Sequence, residues 1–306
     1  MKVFVLAPQE DWICDRLAVE WYENFSHLST RNIYEADIIW LLAGWCWQHV
    51  PLDLLKTKKI IVTEHHIVPE KFTQQKYKNF LMRDQFVDCY HAPNETTRTF
   101  LKKITNKNIA LISYWWNDKF WNKIDKVAAR NELKINMNDF CIGSFQRDTE
   151  GSDLQTPKLE KGPDLLCDYI ERVYKDEPNL HIILGGWRRQ YVMSRLKKHA
   201  IKYTLFEKVD LETIKKLYAC CDLYIVSSRY EGGPQSIIEA AAMETPIIST
   251  DVGIASNILS SNCILDIKTQ HYVPTIQDIQ ICKNNLNRIK IKDIGNLFIK
   301  LFESIL

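Results

Sequence analysis

The sequence predicts an α/β protein made of two doubly wound, Rossmann-like parallel sheets that face a cleft. Three observations predict it. Short apolar runs alternate with helical stretches along nearly the whole chain, which is the rhythm of βαβ units. That rhythm stops once, in the aromatic and polar stretch 114–124, and then restarts. The chain has 306 residues, enough for two domains of ordinary size. The expected division is a first domain at 1–118, a second at 119–288, and a C-terminal helix at 289–306. That helix packs back, with the first domain as one candidate surface.

In the first domain, strands are expected at 2–7, 37–42, 59–63, 86–90 and 109–113. Helices are expected at 12–25 and at 95–104, the latter capped by Asn94. In the second domain the expected strands are 139–145, 180–184, 203–206, 222–226 and 246–249. Helices are expected at 163–174, 187–199, 211–219 and 234–244. The last stretch, 292–306, places Ile294, Leu297, Phe298, Leu301, Phe302, Ile305 and Leu306 on one helical stripe.

Composition excludes several classes. Hydrophobic residues make up 46% and charged residues 25%, as in globular proteins. A net charge of +2 gives no general pull toward nucleic acid or membrane. The nine cysteines are odd in number and lack zinc-ligand spacing, so reduced thiols of a cytoplasmic protein are expected. The apolar run 1–6 is too short for a secretory or spanning segment. No Asp-x-Asp stands at a strand end, so no metal is expected.

The most informative segment is Ser228-Arg229-Tyr230-Glu231-Gly232-Gly233-Pro234-Gln235-Ser236, continuing to Glu239 and Ala242. An apolar strand precedes it. A helix is expected to start at Pro234, since proline suits the first helical position. The free N–H groups at such a start make an anion site, to which Gly233, Gln235 and Ser236 would contribute. Carboxylates beside it, Glu231 and Glu239, suit sugar hydroxyls. The parts together imply a site for a phosphate-bearing sugar.

A second constellation is the polar insertion 146–161 after the strand that carries Gly143. It holds Arg147, Lys158 and Lys161. A guanidinium and an ammonium there could meet negative charge on a leaving diphosphate. A third is Thr63-Glu64-His65-His66-Ile67-Val68-Pro69, and a fourth the strand–glycine turn Leu184-Gly185-Gly186-Trp187-Arg188-Arg189. Eight of the nine tryptophans, from Trp12 to Trp121, lie in the first domain or the junction. Trp45 and Trp47 follow a strand end and are candidates for stacking on a sugar ring.

The segment around Glu231 resembles the signature of retaining glycosyltransferase family 4, the group 1 glycosyltransferases of the GT-B fold. It matches the family at Ser228, Glu231, Gly232, Glu239, Ala240, Ala242 and Pro246. It departs at Gly233, Pro234 and Glu244, where the family has Phe, Gly and Gly. The resemblance implies that Glu239 holds the ribose hydroxyls of the donor and Glu231 the transferred sugar. It implies a phosphate-binding Arg and Lys after the first strand of the second domain. Arg147 fits the first; Lys161 or Lys158 fits the second. His65 matches the family histidine of the first domain, and His66 replaces an Asp.

The expected activity is therefore retaining, metal-independent hexosyl transfer for polysaccharide biosynthesis. The donor would be a nucleoside-diphosphate sugar (UDP-, GDP- or another base), with no cofactor. The acceptor would be a glycan or lipid-linked glycan. Glu231, Arg147, Lys161 and His65 are the expected catalytic group. Glu239, Gly232, Gly233, Pro234, Gln235, Ser236, Gly143, Lys158 and Gly185 would line the donor site, and Trp45, Trp47 and His66 the acceptor side. Two other readings stay open: a nucleotide-sugar epimerase or hydrolase on the same fold, and a non-catalytic glycan-binding protein. The basic stretch Lys283, Arg288, Lys290 and Lys292 is a candidate for weak peripheral contact with the inner membrane face.

Overall fold

The computed structural model describes residues 1–10 and 13–306. The expected start of the first helix, at Trp12, lies outside the described residues. The chain forms two compact units, Met1–Asn117 with Ile289–Leu306, and Asp118–Arg288. Among the described residues no helix is long and apolar enough to cross a membrane.

The first unit alternates β1 (Val3–Leu6), α1 (Ile13–Asn24), β2 (Ile38–Leu41), α2 (Leu52–Thr57), β3 (Lys59–Thr63), α3 (Gln74–Asp84), β4 (Cys89–Ala92), α4 (Glu95–Leu101) and β5 (Asn108–Leu111). The strands are parallel and run in plain chain order, β1-β2-β3-β4-β5. β2 is buried at every position, as a strand covered on both faces must be. β4 begins three residues later than the apolar run suggested. Asp88 ends the preceding turn instead: its carboxylate accepts from Ile60 N at 2.8 Å.

The second unit follows with α5 (Lys126–Glu132), β6 (Phe140–Ser144), α6 (Pro163–Val173), β7 (Leu180–Gly185), α7 (Gln190–Lys198), β8 (Lys202–Phe206), α8 (Leu211–Cys220), β9 (Leu223–Val226), α9 (Gln235–Ala242), β10 (Ile247–Ser249), α10 (Ala255–Ile258) and α11 (Ile276–Asn285). Its parallel order is β10-β9-β6-β7-β8. The order reverses between β6 and β9, where Gly143 sits beside Tyr224. Loops diverge at such a reversal and leave room for a ligand at the carboxyl ends of the strands. Ile142, Leu166, Ile182, Ile225 and Ile248 fill the core beneath. Each such side chain contributes about 1.5–3 kcal/mol on burial.

α12 (Ile291–Ile305) belongs to the first unit. Phe298 and Phe302 insert among Trp21, Trp40 and Trp115, with Phe298 4.4 Å from the Trp40 ring. Gly295 permits this approach, because a Cβ there would overlap the Phe25 ring. Leu297 and Leu306, expected on the buried stripe, are exposed. The face is narrower because Ile291, Ile294, Gly295, Phe298 and Phe302 already fill it. All nine cysteines are buried free thiols.

Candidate active site

The loops after β6 and β9 meet at the strand-order reversal. Gly162 makes this possible. It holds φ 60 and a Cβ on it would overlap Ser227 O, so the loop can close only over glycine. Pro163 then opens α6. Gln146 Nε2 donates to Lys161 O at 2.7 Å and Ser227 Oγ reaches the same oxygen at 3.3 Å. Lys161 Nζ consequently lies 2.5 Å from Glu231 Oε1. Ser228 Oγ stands 2.9 Å from that carboxylate oxygen and 3.2 Å from Gln146 Oε1. Thr250 Oγ1 donates to Ser228 O at 2.5 Å, tying in the strand end of β10.

Lys158 takes a different place. Its ammonium is 3.7 Å from Glu160, and its N–H donates to Asp148 O at 2.8 Å. Arg147 Nε donates to Thr149 O at 2.9 Å, and its guanidinium lies 5.5 Å from the Trp187 ring. Burial, with repulsion from Arg188, pulls its pKa below the ordinary value. Asp148 is anchored by Arg189, which is fully buried rather than solvated and begins α7 as its cap. Arg189 Nε donates to Asp148 at 3.0 Å and Nη1 to Gly185 O at 2.8 Å and to Ser144 O. A buried guanidinium needs that many acceptors. The expected helix at 187–199 therefore starts three residues late, at Gln190.

α9 also starts later than Pro234. The proline is the cap, with ψ 110, and Gln235 is the first helical residue. Gly232, Gly233 and Pro234 are buried, whereas Gln235 and Ser236 are half-buried. Gly253 underlies the turn: at φ 61, a Cβ on it would press on Pro234 and Gly232. Glu239 projects from the middle of α9 and is 7% exposed. Its Oε2 accepts from Tyr218 Oη at 2.7 Å. Burial and this carboxylate push the Tyr218 hydroxyl well above its usual pKa. The Tyr224 hydroxyl accepts from Phe145 N at 3.2 Å. Glu244, where the family has glycine, adopts the left-handed φ of 57.

Gly143 and Gly185 have a packing role. A Cβ on Gly143 would overlap Cys221 Sγ, and one on Gly185 would press on the Phe145 ring. Both were expected among the donor contacts; close packing accounts for glycine at each.

In the first unit, His65 is held at both ring nitrogens. Nε2 faces Leu42 O at 2.6 Å and Cys14 Sγ at 3.2 Å, and Nδ1 meets the Tyr114 hydroxyl. A carbonyl can only accept, so Nε2 carries the proton and Nδ1 accepts from Tyr114. Both ring nitrogens are thus engaged within the unit, although His65 was expected in the catalytic group. His91 is likewise held, by Ile112 O at 2.7 Å and Thr63 Oγ1 at 3.0 Å. Glu64 pairs with Arg83 at 2.7 Å. His66 is half-buried and Trp45 is 48% exposed. Trp47 instead stacks on Phe86 at 6.1 Å and packs on the core. Of the basic stretch, Lys283 donates to Ala242 O at 2.7 Å and Lys290 lies over Trp116, while Arg288 and Lys292 are exposed.

The site residues that sequence reasoning missed are Gln146, Ser228 as a carboxylate partner, Arg229, Asp164 and Tyr218. Only Ser228 carried a signal, through its place in the motif.

Two parallel-sheet α/β units make a fold of the GT-B type, and the second carries an acidic turn and a lysine loop at its strand-order reversal. Residues 153–274 match the family model described as "Glycosyl transferases group 1". Over 85% of this chain and 78% of its relative, the sequence is 21% identical to the O-antigen chain mannosyltransferase RfbU of Salmonella typhimurium. It is 25% identical to the lipopolysaccharide core biosynthesis mannosyltransferase LpsB of Rhizobium meliloti, over 46% of this chain and 40% of that one. The solved structure of Anabaena Alr3699/HepE in complex with UDP and glucose superposes with a TM-score of 0.77 at 14% identity, covering 99% of each chain.

Proposed function

We propose that this glycosyltransferase moves a hexose from a nucleoside-diphosphate sugar to a glycan or lipid-linked glycan in polysaccharide biosynthesis, with retention of configuration and without a metal. The Lys161–Glu231 pair at the strand-order reversal carries this reading. In it, Lys161 and Arg147 stabilise the charge that develops on the departing diphosphate. The N–H groups of Gln235 and Ser236 at the start of α9 add to that field. Glu231 takes hydroxyls of the transferred sugar and Glu239 those of the ribose. Lys161 is preferred over Lys158 for the phosphate because Lys161 is the one beside Glu231. Trp45 and His66 remain the acceptor-side candidates, with His65 orienting that strand end.

The two mannosyltransferase relatives support mannose as the first sugar to test, and the UDP of the structural neighbour supports uridine as the first base. The deciding experiment is a thermal-shift screen against UDP-, GDP-, ADP- and CMP-sugars with chelator present, followed by transfer assays on the one that binds. A stabilised complex and transfer in chelator support the reading. Free or epimerised sugar without transfer to any acceptor would replace it with the hydrolase or epimerase alternative. A peripheral membrane contact, on this reading, rests on Arg288 and Lys292, the two cations of the basic stretch that are exposed.

A further inference from the structure

Arg229 stands between the two loops that meet at the reversal. Its N–H donates to Glu160 O at 2.8 Å, and the next N–H, of Tyr230, reaches the same oxygen at 3.2 Å. Its guanidinium grips both oxygens of Asp164: Nη1 to Oδ1 at 2.8 Å and Nη2 to Oδ2 at 2.6 Å. Nη1 also donates to Leu159 O at 2.8 Å. Leu159 opens the single helical turn Leu159–Lys161, and Asp164 lies in the first turn of α6. One residue thus holds the turn that carries Lys161 at its start and just beyond its end.

We propose that Arg229, through Asp164 and Leu159, is a positioning residue for sugar transfer: it fixes the Lys161 turn against Glu231 so that the ammonium meets the departing diphosphate. This rests on the reading of Lys161 given above. The planar fork grips both carboxylate oxygens in parallel while reaching a carbonyl, a geometry that the point-like ammonium of lysine does not reproduce. The pair is also partly exposed, with side-chain accessibilities of 32% and 27%. Its bidentate geometry gives it more weight than an ordinary surface pair, yet its solvent exposure keeps its share of global stability modest. The effect of removing it on the reaction is therefore separable from its effect on the fold. Loosening a group that acts on developing charge lowers kcat more than it weakens ground-state binding.

The test compares Arg229→Ala, Arg229→Lys, Asp164→Asn and Lys161→Ala, with Arg229→Ala also placed in the Lys161→Ala background. Transfer kinetics, nucleoside-diphosphate affinity and thermal melts are measured on each. Both Arg229 variants are expected to lose about tenfold to a hundredfold in kcat, with melting temperature and nucleotide affinity close to wild type. With Lys161 already removed, Arg229→Ala is expected to change kcat by less than about twofold, because residues acting through one group are not additive. Unchanged kcat in Arg229→Ala, full activity in Arg229→Lys, or a loss that multiplies in the Lys161→Ala background would each overturn the proposal. Should Arg229→Ala not fold, Arg229→Lys and Asp164→Asn decide by the same criteria. If the wild-type protein transfers no sugar from any nucleoside diphosphate, the parent reading fails instead.

Discussion

The ammonium of Lys161 lies 2.5 Å from Oε1 of Glu231, across 70 residues of chain. Both side chains are largely shielded, at 17% and 11% accessibility. The cation proposed to meet a diphosphate is thus already paired with a carboxylate that competes with the ligand for it. Lys161→Ala is expected to lower kcat by about 10²–10³, the usual cost of losing one charge-stabilising group. Glu231→Gln is expected to bind free nucleoside diphosphate several-fold tighter while transferring sugar poorly. Titration calorimetry with UDP and GDP, beside transfer assays, checks both.

Glu239 is buried against Tyr218. Tyr218→Phe removes a hydrogen-bond donor to its buried carboxyl group, at a cost of about 1–3 kcal/mol. Urea unfolding should read that loss directly. Glu239→Ala should abolish the nucleotide-sugar thermal shift.

Acid will test His91. Burial holds its pKa at about 4 in the fold, against an ordinary 6.5. As pH falls, the unfolded chain takes up the proton first. The stabilisation is whole above pH 6.5 and is lost between there and about 4, reaching about 3 kcal/mol. Burial shifts His181 in the same direction. His91→Gln should flatten the decline of unfolding free energy between pH 6.5 and 5, whatever its stability at neutral pH.

Gly295→Ala pits two effects against each other. Alanine gains about 1 kcal/mol of helix propensity over glycine. Its methyl would overlap the Phe25 ring, and overpacking costs about 1–3 kcal/mol. A net loss of stability is expected, visible as a lower melting temperature.

Ten strands were legible in the sequence because each is a short apolar run between polar turns. α2, α3, α5, α10 and α11 were not. α3 buries only Phe80 and Arg83, too few apolar residues to print a helical period. The Lys161 and Glu231 loops were legible from strand–turn–helix order. Their fastenings were not: Arg229 finds Asp164 65 residues away, and Arg189 finds Asp148 41 residues away. Such pairings depend on strand order, which local spacing does not encode. The locked tautomer of His65 was hidden for the same reason, since Leu42 and Tyr114 arrive from other strand ends.

The aromatic nest of Trp21, Trp40 and Trp115 is completed only by Phe298 and Phe302. During synthesis, the uninterrupted stretch Asp118–Arg288 is added to the chain before either phenylalanine is. The half of the molecule made first must therefore wait, its greasy hollow open, for the half made second. A nascent chain stalled short of residue 298 would offer that hollow to chaperones.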